Sequence, residues 1–499
     1  MGNIGPQLTQ AQDCHRSGDL NRAEALYREI LRAEPDRADV WLLLGELCQA
    51  QGRRAEAGEC YQNSLQRQQH QPGAYNNLGV LLLEQGRRDH AVAAFQEALR
   101  LRPEYPEALN NLGIALLEQG TTEEAGAAFR AALNLFPHYP EALNNLGSAL
   151  ARLGQSEAAL AAFRQAVALR PDYGQAHLNL GRLLRGLGRT EEAAGSLREA
   201  LRLQPGSPEG FHELGILLAQ EGKLEEAVSA YRQVLRQWPG HAETHNHLGI
   251  AMARLGHQAE AVALFRQARH LRPDFTEAIH NLGRALADLG LAEEAIGCFR
   301  ETLRLRPNYP EAHHNLGLAL VGRGEFDEAL TCYGEAVRLR PDFPEALNDL
   351  ANLYKDQGRL DEAIACYRLA LALRPNDAPI HSNLLYALLY HPGYGPETIL
   401  AEHLAYGRQY AVPQTEWPGP MAGDFQSGRR LRLGYVSGDF RDHVMGRYIE
   451  AVLRAHDRSR FEIFCYAEVP RADALTRRLQ AQADGWRSLV GLSDDAAAD

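Results

Sequence analysis

Asparagine recurs at a fixed spacing in segments that otherwise read as helix. Asn77, Asn111, Asn145, Asn179, Asn281 and Asn315 stand 34 residues or a multiple of it apart. Glu213 and His247 interrupt the series, Asp349 continues it with an acid, and Asn383 restores the amide. Asparagine is a mediocre helix former, so its repeated use inside helices needs a chemical reason. A primary amide donates and accepts at once, and so pairs with a peptide group whatever the peptide's side chains. An extended peptide advances about 3.3 Å per residue, so a rung would meet roughly every third residue. Each such bond adds only about 0.5–1.5 kcal/mol, yet several together make a weakly selective clamp. The competing reading is that these amides only satisfy nearby polar groups. Histidines 177, 212, 245, 280, 313 and 314 crowd the same helices without a carboxylate or cysteine constellation, which predicts a solvated groove rather than a metal site.

The elements that position these residues follow from self-similarity. Glycine recurs every 34 residues from Gly18 to Gly358, alanine from Ala23 to Ala363, and proline from Pro35 to Pro375, with Gln69 the single break in the third series. In the unit from Leu109 to Pro137, Leu109, Leu112 and Leu116 share one helical face. Gly120 supplies a left-handed cap to that helix, Ala125, Phe129, Ala132, Leu133 and Phe136 give the second helix an apolar stripe, and Pro137 closes the unit. A further glycine column, Gly45 to Gly317, lies inside the first helix, where glycine costs about 1 kcal/mol relative to alanine. Close approach of the partner helix, opposite the alanine column, is the expected reason. Cys60, Cys298, Cys332 and Cys366 share one register. Stacked repeats lie about 8–10 Å apart, too far for disulfides, so these thiols read as small core fillers.

The pattern resembles the tetratricopeptide repeat. It implies eleven units from about Ala11 to Pro375, plus a partial twelfth at His381–Leu385, in a right-handed superhelical solenoid with an extended concave surface. Such grooves hold polypeptides. Capture of a partner's C-terminal carboxylate is disfavoured, because Lys223 and Lys355 are the only lysines and amides or histidines stand where cations would be wanted.

The net charge of -12 argues against a nucleic-acid surface. No apolar run reaches the length of a membrane span, and Met1–Pro6 has neither the basic nor the apolar region of a secretion signal, which makes the cytoplasm the expected address. A purely structural homo-oligomer is a further option and would need an apolar patch on the convex face.

Past residue 385 the register dissolves. Residues 386–429 read as a helical connector, with Pro396 opening a helix to about Arg408, and a Pro- and Gly-rich linker from Pro413 to Gly428. From residue 430 the pattern becomes β-α-β-α-β: strands Leu431–Ser437, Phe461–Ala467 and Trp486–Leu489, with helices Met445–His456 and Ala472–Ala483. That order opens a doubly wound parallel sheet. Asp439 is a candidate cap for the following helix, and Ser493–Asp495 a candidate start of another.

The motif Leu431-Arg432-Leu433-Gly434-Tyr435-Val436-Ser437-Gly438-Asp439-Phe440, then Asp442-His443 and Arg460–Tyr466, is similar to the start of the O-linked N-acetylglucosamine transferase catalytic domain. Leu385–Pro392 and Ala401–His403 resemble the connector of bacterial, SPINDLY-like members. The resemblance implies a two-lobed GT-B glycosyltransferase fed by the repeats. It moves a sugar from a nucleotide-sugar donor of the UDP-GlcNAc type onto serine or threonine of acceptor polypeptides in the groove. It also implies that His443 lies on the acceptor side of the cleft as acid/base or orienting group, with Val444 replacing the proline of animal members. Residues 430–499 would be the first part of that domain, without the donor lobe, no cofactor site and no metal. The alternative is a non-catalytic repeat scaffold for peptides.

Overall fold

The computed structural model describes residues 4–410 and 430–492. The chain divides into two compact units, Met1–Gln409 and Tyr410–Asp499. The expected linker at Pro413–Gly428 and the expected helix start at Ser493 lie outside the described residues.

The first unit is a helical solenoid of eleven helix–turn–helix pairs, from α1 (Ile4–Ser17) and α2 (Leu20–Ala33) to α21 (Pro344–Asp356) and α22 (Leu360–Leu373). Then come α23 (Ala378–Tyr390) and α24 (Pro396–Tyr410). The turn within each pair uses a glycine: Gly18 to Gly358 all have φ between +72° and +90°, a conformation that costs other residues about 1–2 kcal/mol. Tyr61, Phe95, Phe129 and Tyr333, from the second helix of their pairs, are almost wholly buried, each contributing about 1.5–3 kcal/mol by leaving water.

Those rings correct the expected role of the second glycine column. A Cβ at Gly113 would stand 2.5 Å from Phe129 Cε1, and one at Gly45 would stand 2.5 Å from Tyr61 Cε1. The column therefore clears space for an aromatic ring on the partner helix, not for the alanine column. At Gly181, where Leu197 takes the place of the ring, the Ala193 carbonyl also stands near, at 3.3 Å.

Among the first helices of the pairs are α5 (Pro72–Glu84), α7 (Pro106–Gln119), α9 (Pro140–Arg152), α11 (Gly174–Gly186), α13 (Pro208–Gln220), α15 (Ala242–Arg254), α17 (Thr276–Asp288) and α19 (Pro310–Arg323). Successive members of this set touch one another directly. That close packing places them on the inside of the curve, where they carry the asparagine series.

The second unit holds a parallel three-stranded sheet in the order β1 (Leu431–Ser437), β2 (Phe461–Ala467), β3 (Gly485–Ser488). Leu431 pairs with Phe461, and Phe464 with Gly485. Helices α25 (Val444–Ala455) and α26 (Ala474–Gln480) connect the strands. Phe440, Leu453, Ile463, Cys465 and Leu479 form its core. The first two strands occupy the residues expected of them, and the third begins one residue early.

Candidate functional site

The asparagine series makes hydrogen bonds along the solenoid, from each repeat to the one before. Asn111 Nδ2 donates to Asn76 Oδ1 at 3.0 Å, Asn145 to Asn110 at 3.0 Å, and Asn179 to Asn144 at 2.8 Å. Asn281 donates to Asn246 at 3.0 Å, and Asn383 to Asn348 at 3.0 Å. Asn77 uses Glu46 Oε1 at 3.0 Å, and Asn315 meets His280 Nε2 at 2.9 Å. Burial, then the Arg284 charge, pushes the His280 pKa down to about 4, so its neutral ring can accept that amide. Every rung thus spends one Nδ2 hydrogen on a neighbour and keeps the other. Among the described residues, Asn111, Asn281, Asn315 and Asn383 also keep an Oδ1 with no protein partner.

The acceptors form a second column, one residue ahead of the first in the preceding repeat. Asn76, Asn110, Asn144 and Asn246 are buried, and a buried amide without a partner would be costly. Sequence reasoning missed this column, although the doublets Asn76-Asn77, Asn110-Asn111 and Asn144-Asn145 displayed it.

The interruptions use other chemistry. Buried Glu213 accepts from Arg182 Nε at 2.7 Å and from Arg185 Nη2 at 3.0 Å. Among the described residues, His247 has a buried Nδ1 without a hydrogen-bond partner. Asp349 accepts from His314 Nε2 at 2.8 Å. The expectation of solvated histidines fails here: His280 and His314 are buried. His212, with Nδ1 2.8 Å from Thr244 Oγ1, has its pKa pushed down to about 4 by burial and then by the neighbouring His247. His177, His245 and His313 each bond through Nε2 to a proline carbonyl six residues back. His212, His280 and His314 stand in the register of buried Asn76, Asn110, Asn144 and Asn246 and so turn toward the packing between repeats, whereas His177, His245 and His313 stay partly exposed. Among the described residues, no three His, Cys, Asp or Glu side chains form a group able to hold a metal. Among those residues, no helix is long and apolar enough to cross a membrane.

Cavities open between successive inner helices. One of about 450 Å³ is lined by Ser148, Arg152, Phe163, Asn179 and Arg182; a counterpart of about 460 Å³ is lined by Arg284, Asp288, Phe299, Asn315 and Leu318.

In the second unit, the Gly438–His443 loop leaves the carboxyl end of β1, the ligand-binding end of doubly wound sheets. Its path is tight: a Cβ at Gly446 would collide with the Arg441 and Asp439 carbonyls. The Asp442 N–H donates to Asp473 Oδ2 at 2.5 Å. Asp473 also caps α26 through Thr476; the Asp442 and Thr476 amides hold its carboxyl down at about 2. His443, not Asp439, caps α25: its Nδ1 accepts the Met445 N–H at 3.3 Å. Asp439 Oδ2 lies 3.5 Å from the same Nδ1, and the ring is exposed. A neutral ring that accepts at Nδ1 carries its proton on Nε2. Reorientation toward Asp439 would instead protonate Nδ1 and free the Nε2 lone pair.

Comparison with known proteins gives two family matches. A model described as "Cilia and flagella-associated protein 70 C-terminal domain", of tetratricopeptide-repeat type, matches residues 3–214 and 207–416. Glycosyl transferase family 41 matches residues 409–498. A probable UDP-N-acetylglucosamine–peptide N-acetylglucosaminyltransferase SPINDLY of Oryza sativa subsp. japonica is 32% identical over 23% of this chain and 13% of its own length. The UDP-N-acetylglucosamine–peptide N-acetylglucosaminyltransferase of Caenorhabditis elegans is 52% identical over 8% of this chain and 4% of its own. The chain thus matches only a small part of those relatives. A solved O-GlcNAc transferase mutant of Thermobaculum terrenum is 31% identical, covering 51% of this chain and 42% of that one, with a TM-score of 0.29.

Proposed function

We propose that this chain, which belongs to the tetratricopeptide-repeat family described by the first of those models and resembles the O-GlcNAc and SPINDLY-type transferases, serves protein O-glycosylation in the cytoplasm. The repeats hold an acceptor polypeptide on their inner face, and the segment from residue 430 contributes to the transferase cleft. The observation that carries this reading is the union on one chain of an asparagine-lined solenoid with a family-41 segment whose loop sets His443 at the carboxyl end of β1.

In the reaction, a serine or threonine oxygen bonds to the anomeric carbon of UDP-GlcNAc. The bond from that carbon to the diphosphate oxygen breaks, UDP departs, and the hydroxyl proton is released. Free Asn Oδ1 atoms and second Nδ2 hydrogens pair with the backbone of the acceptor in the Asn77, Asn111, Asn145, Asn179, Asn281, Asn315 and Asn383 series. As a helix cap, His443 offers Nε2–H and orients an acceptor oxygen. Turned to Asp439, it offers a base.

The test is labelled-sugar transfer from UDP-GlcNAc to a serine-bearing acceptor protein, with His443→Ala and Asp439→Asn variants. A positioned acid or base contributes about 10²–10⁴-fold, so His443→Ala should slow transfer by about that factor if the ring moves the proton. Asp439→Asn separates the roles, because it should slow transfer only if His443 acts as base. Transfer at full rate by His443→Ala would remove the role given to that histidine. Acceptor binding with no transfer, by this chain and by a form extended through the donor lobe, would leave a non-catalytic scaffold.

A further inference from the structure

The cavity between α9 and α11 and its counterpart between α17 and α19 are the same place in the solenoid four repeats apart, yet they differ in charge. Ser148 corresponds to Arg284, Arg152 to Asp288 and Arg182 to Leu318, whereas Phe163 and Phe299, like Asn179 and Asn315, are alike. The counterpart therefore holds one arginine and one aspartate. The first cavity holds two arginines, and no carboxylate lines it.

The partners of these arginines decide what charge they present. Arg182 shares buried Glu213 with Arg185, so those three groups together carry one positive charge. Arg152 is exposed and donates Nη1 to the Leu117 carbonyl at 3.2 Å; among the described residues it has no ion-pair partner. Arg152 lines the cavity together with Arg182, Ser148 and Asn179; the Ser148 hydroxyl donates to the Asn144 carbonyl at 3.0 Å, which leaves the guanidinium groups as the charged donors. Guanidinium groups bind carboxylate and phosphate oxygens through paired N–H donors, with more directional bonds than neutral groups make.

We propose that the Ser148–Arg152–Asn179–Arg182 cavity is an acid-selective subsite, which seats a carboxylate or phosphate side chain of the polypeptide lying along the inner face. This rests on the groove reading above and adds to it a chemical preference. The asparagine rungs hold backbone without regard to sequence, and this one cavity selects by charge. It would place an acidic residue of the acceptor at a fixed point of the solenoid and set the register of the whole segment.

The full chain can be titrated by fluorescence anisotropy with extended peptides of one neutral sequence. Their central residue would be alanine, aspartate, phosphoserine or lysine. The aspartate or phosphoserine peptide should bind about tenfold more tightly than the alanine peptide, with the advantage shrinking as salt rises. Comparing the two acidic peptides tells carboxylate from phosphate selection. Arg152→Ala should erase most of the preference and leave the alanine peptide unchanged. Arg152→Asp should reverse it toward the lysine peptide. Arg152 has no carboxylate partner to strand, so these variants should keep the fold, which helical circular dichroism checks. Equal binding of all four peptides, or a preference that survives Arg152→Asp, overturns the subsite and leaves the groove reading standing. Absence of binding by any peptide overturns the groove reading, and the subsite with it.

Discussion

Two stretches of the same column, Asn111 to Asn179 and Glu213 to His247, solve one geometric problem with different chemistry. In the first, neutral amides reach back to neutral amides, and each junction repeats the last with bonds of 2.8–3.0 Å. In the second, a buried carboxylate gathers two arginines, and the next position holds a ring whose Nδ1 has no partner. Burial, then the Arg185 charge, lowers the His247 pKa. The difference teaches that the period fixes where a side chain stands but not how its junction is held. Amide rungs are interchangeable and individually weak. The charged junction is specific, and its parts cannot be removed singly.

The comparison breaks most visibly at Glu213. Glu213→Ala strands half-buried Arg185 beside Arg182, and should cost about 3 kcal/mol in denaturant unfolding. A loss no larger than that at an amide rung would make the two stretches equivalent. Asn145→Ala comes next: it deprives buried Asn110 Oδ1 of its donor and should cost about 1–2 kcal/mol by the same measurement. The smallest effect at neutral pH belongs to His280→Asn, which replaces a ring by the amide found elsewhere in its column. The His280 pKa is depressed from 6.5 to about 4 in the fold. Between those values the unfolded chain binds a proton that the folded chain refuses, so stability falls as pH drops from about 6.5 toward 4. His280→Asn should change little at pH 7. It should recover on the order of 2 kcal/mol of the acid loss near pH 4, read as the pH dependence of the unfolding midpoint. An unaltered pH profile would show that His280 takes no part in that loss.

Much of the solenoid was legible because a repeat prints its packing many times over. Gly120 announced its left-handed turn, and the mostly apolar run Phe461–Ala467 announced a strand. What stayed hidden were partners. The second glycine column declared a close approach, but Gly113 does not say that the approaching group is the ring of Phe129. The asparagine doublets placed two amides side by side without revealing that one reaches to the preceding repeat. His280 and His314 read as solvated, since a histidine's exposure depends on the helix packed over it. In the second unit, Asp473 lies far along the chain from Asp442, and no local pattern links them. His443 was singled out by the motif's resemblance to a transferase domain, while its cap to α25 depends on a backbone turn that side-chain types do not specify.

The amide bonds of the inner face run one way, each repeat donating to the one before it, whereas at Glu213 and Asp349 the donor stands in the earlier repeat. Mechanically, that is a chain of springs in series, in which every junction bears the same tension and the softest one yields first. A solenoid stretched by its ends would therefore extend through its amide rungs, where single weak bonds part and re-form. The Glu213 junction, tied by two arginines, would hold as a stiff link between two compliant arms. A polypeptide threaded along the inner face would then meet a scaffold that lengthens on either side of a rigid midpoint, and tension on one arm would reach the other only through that link.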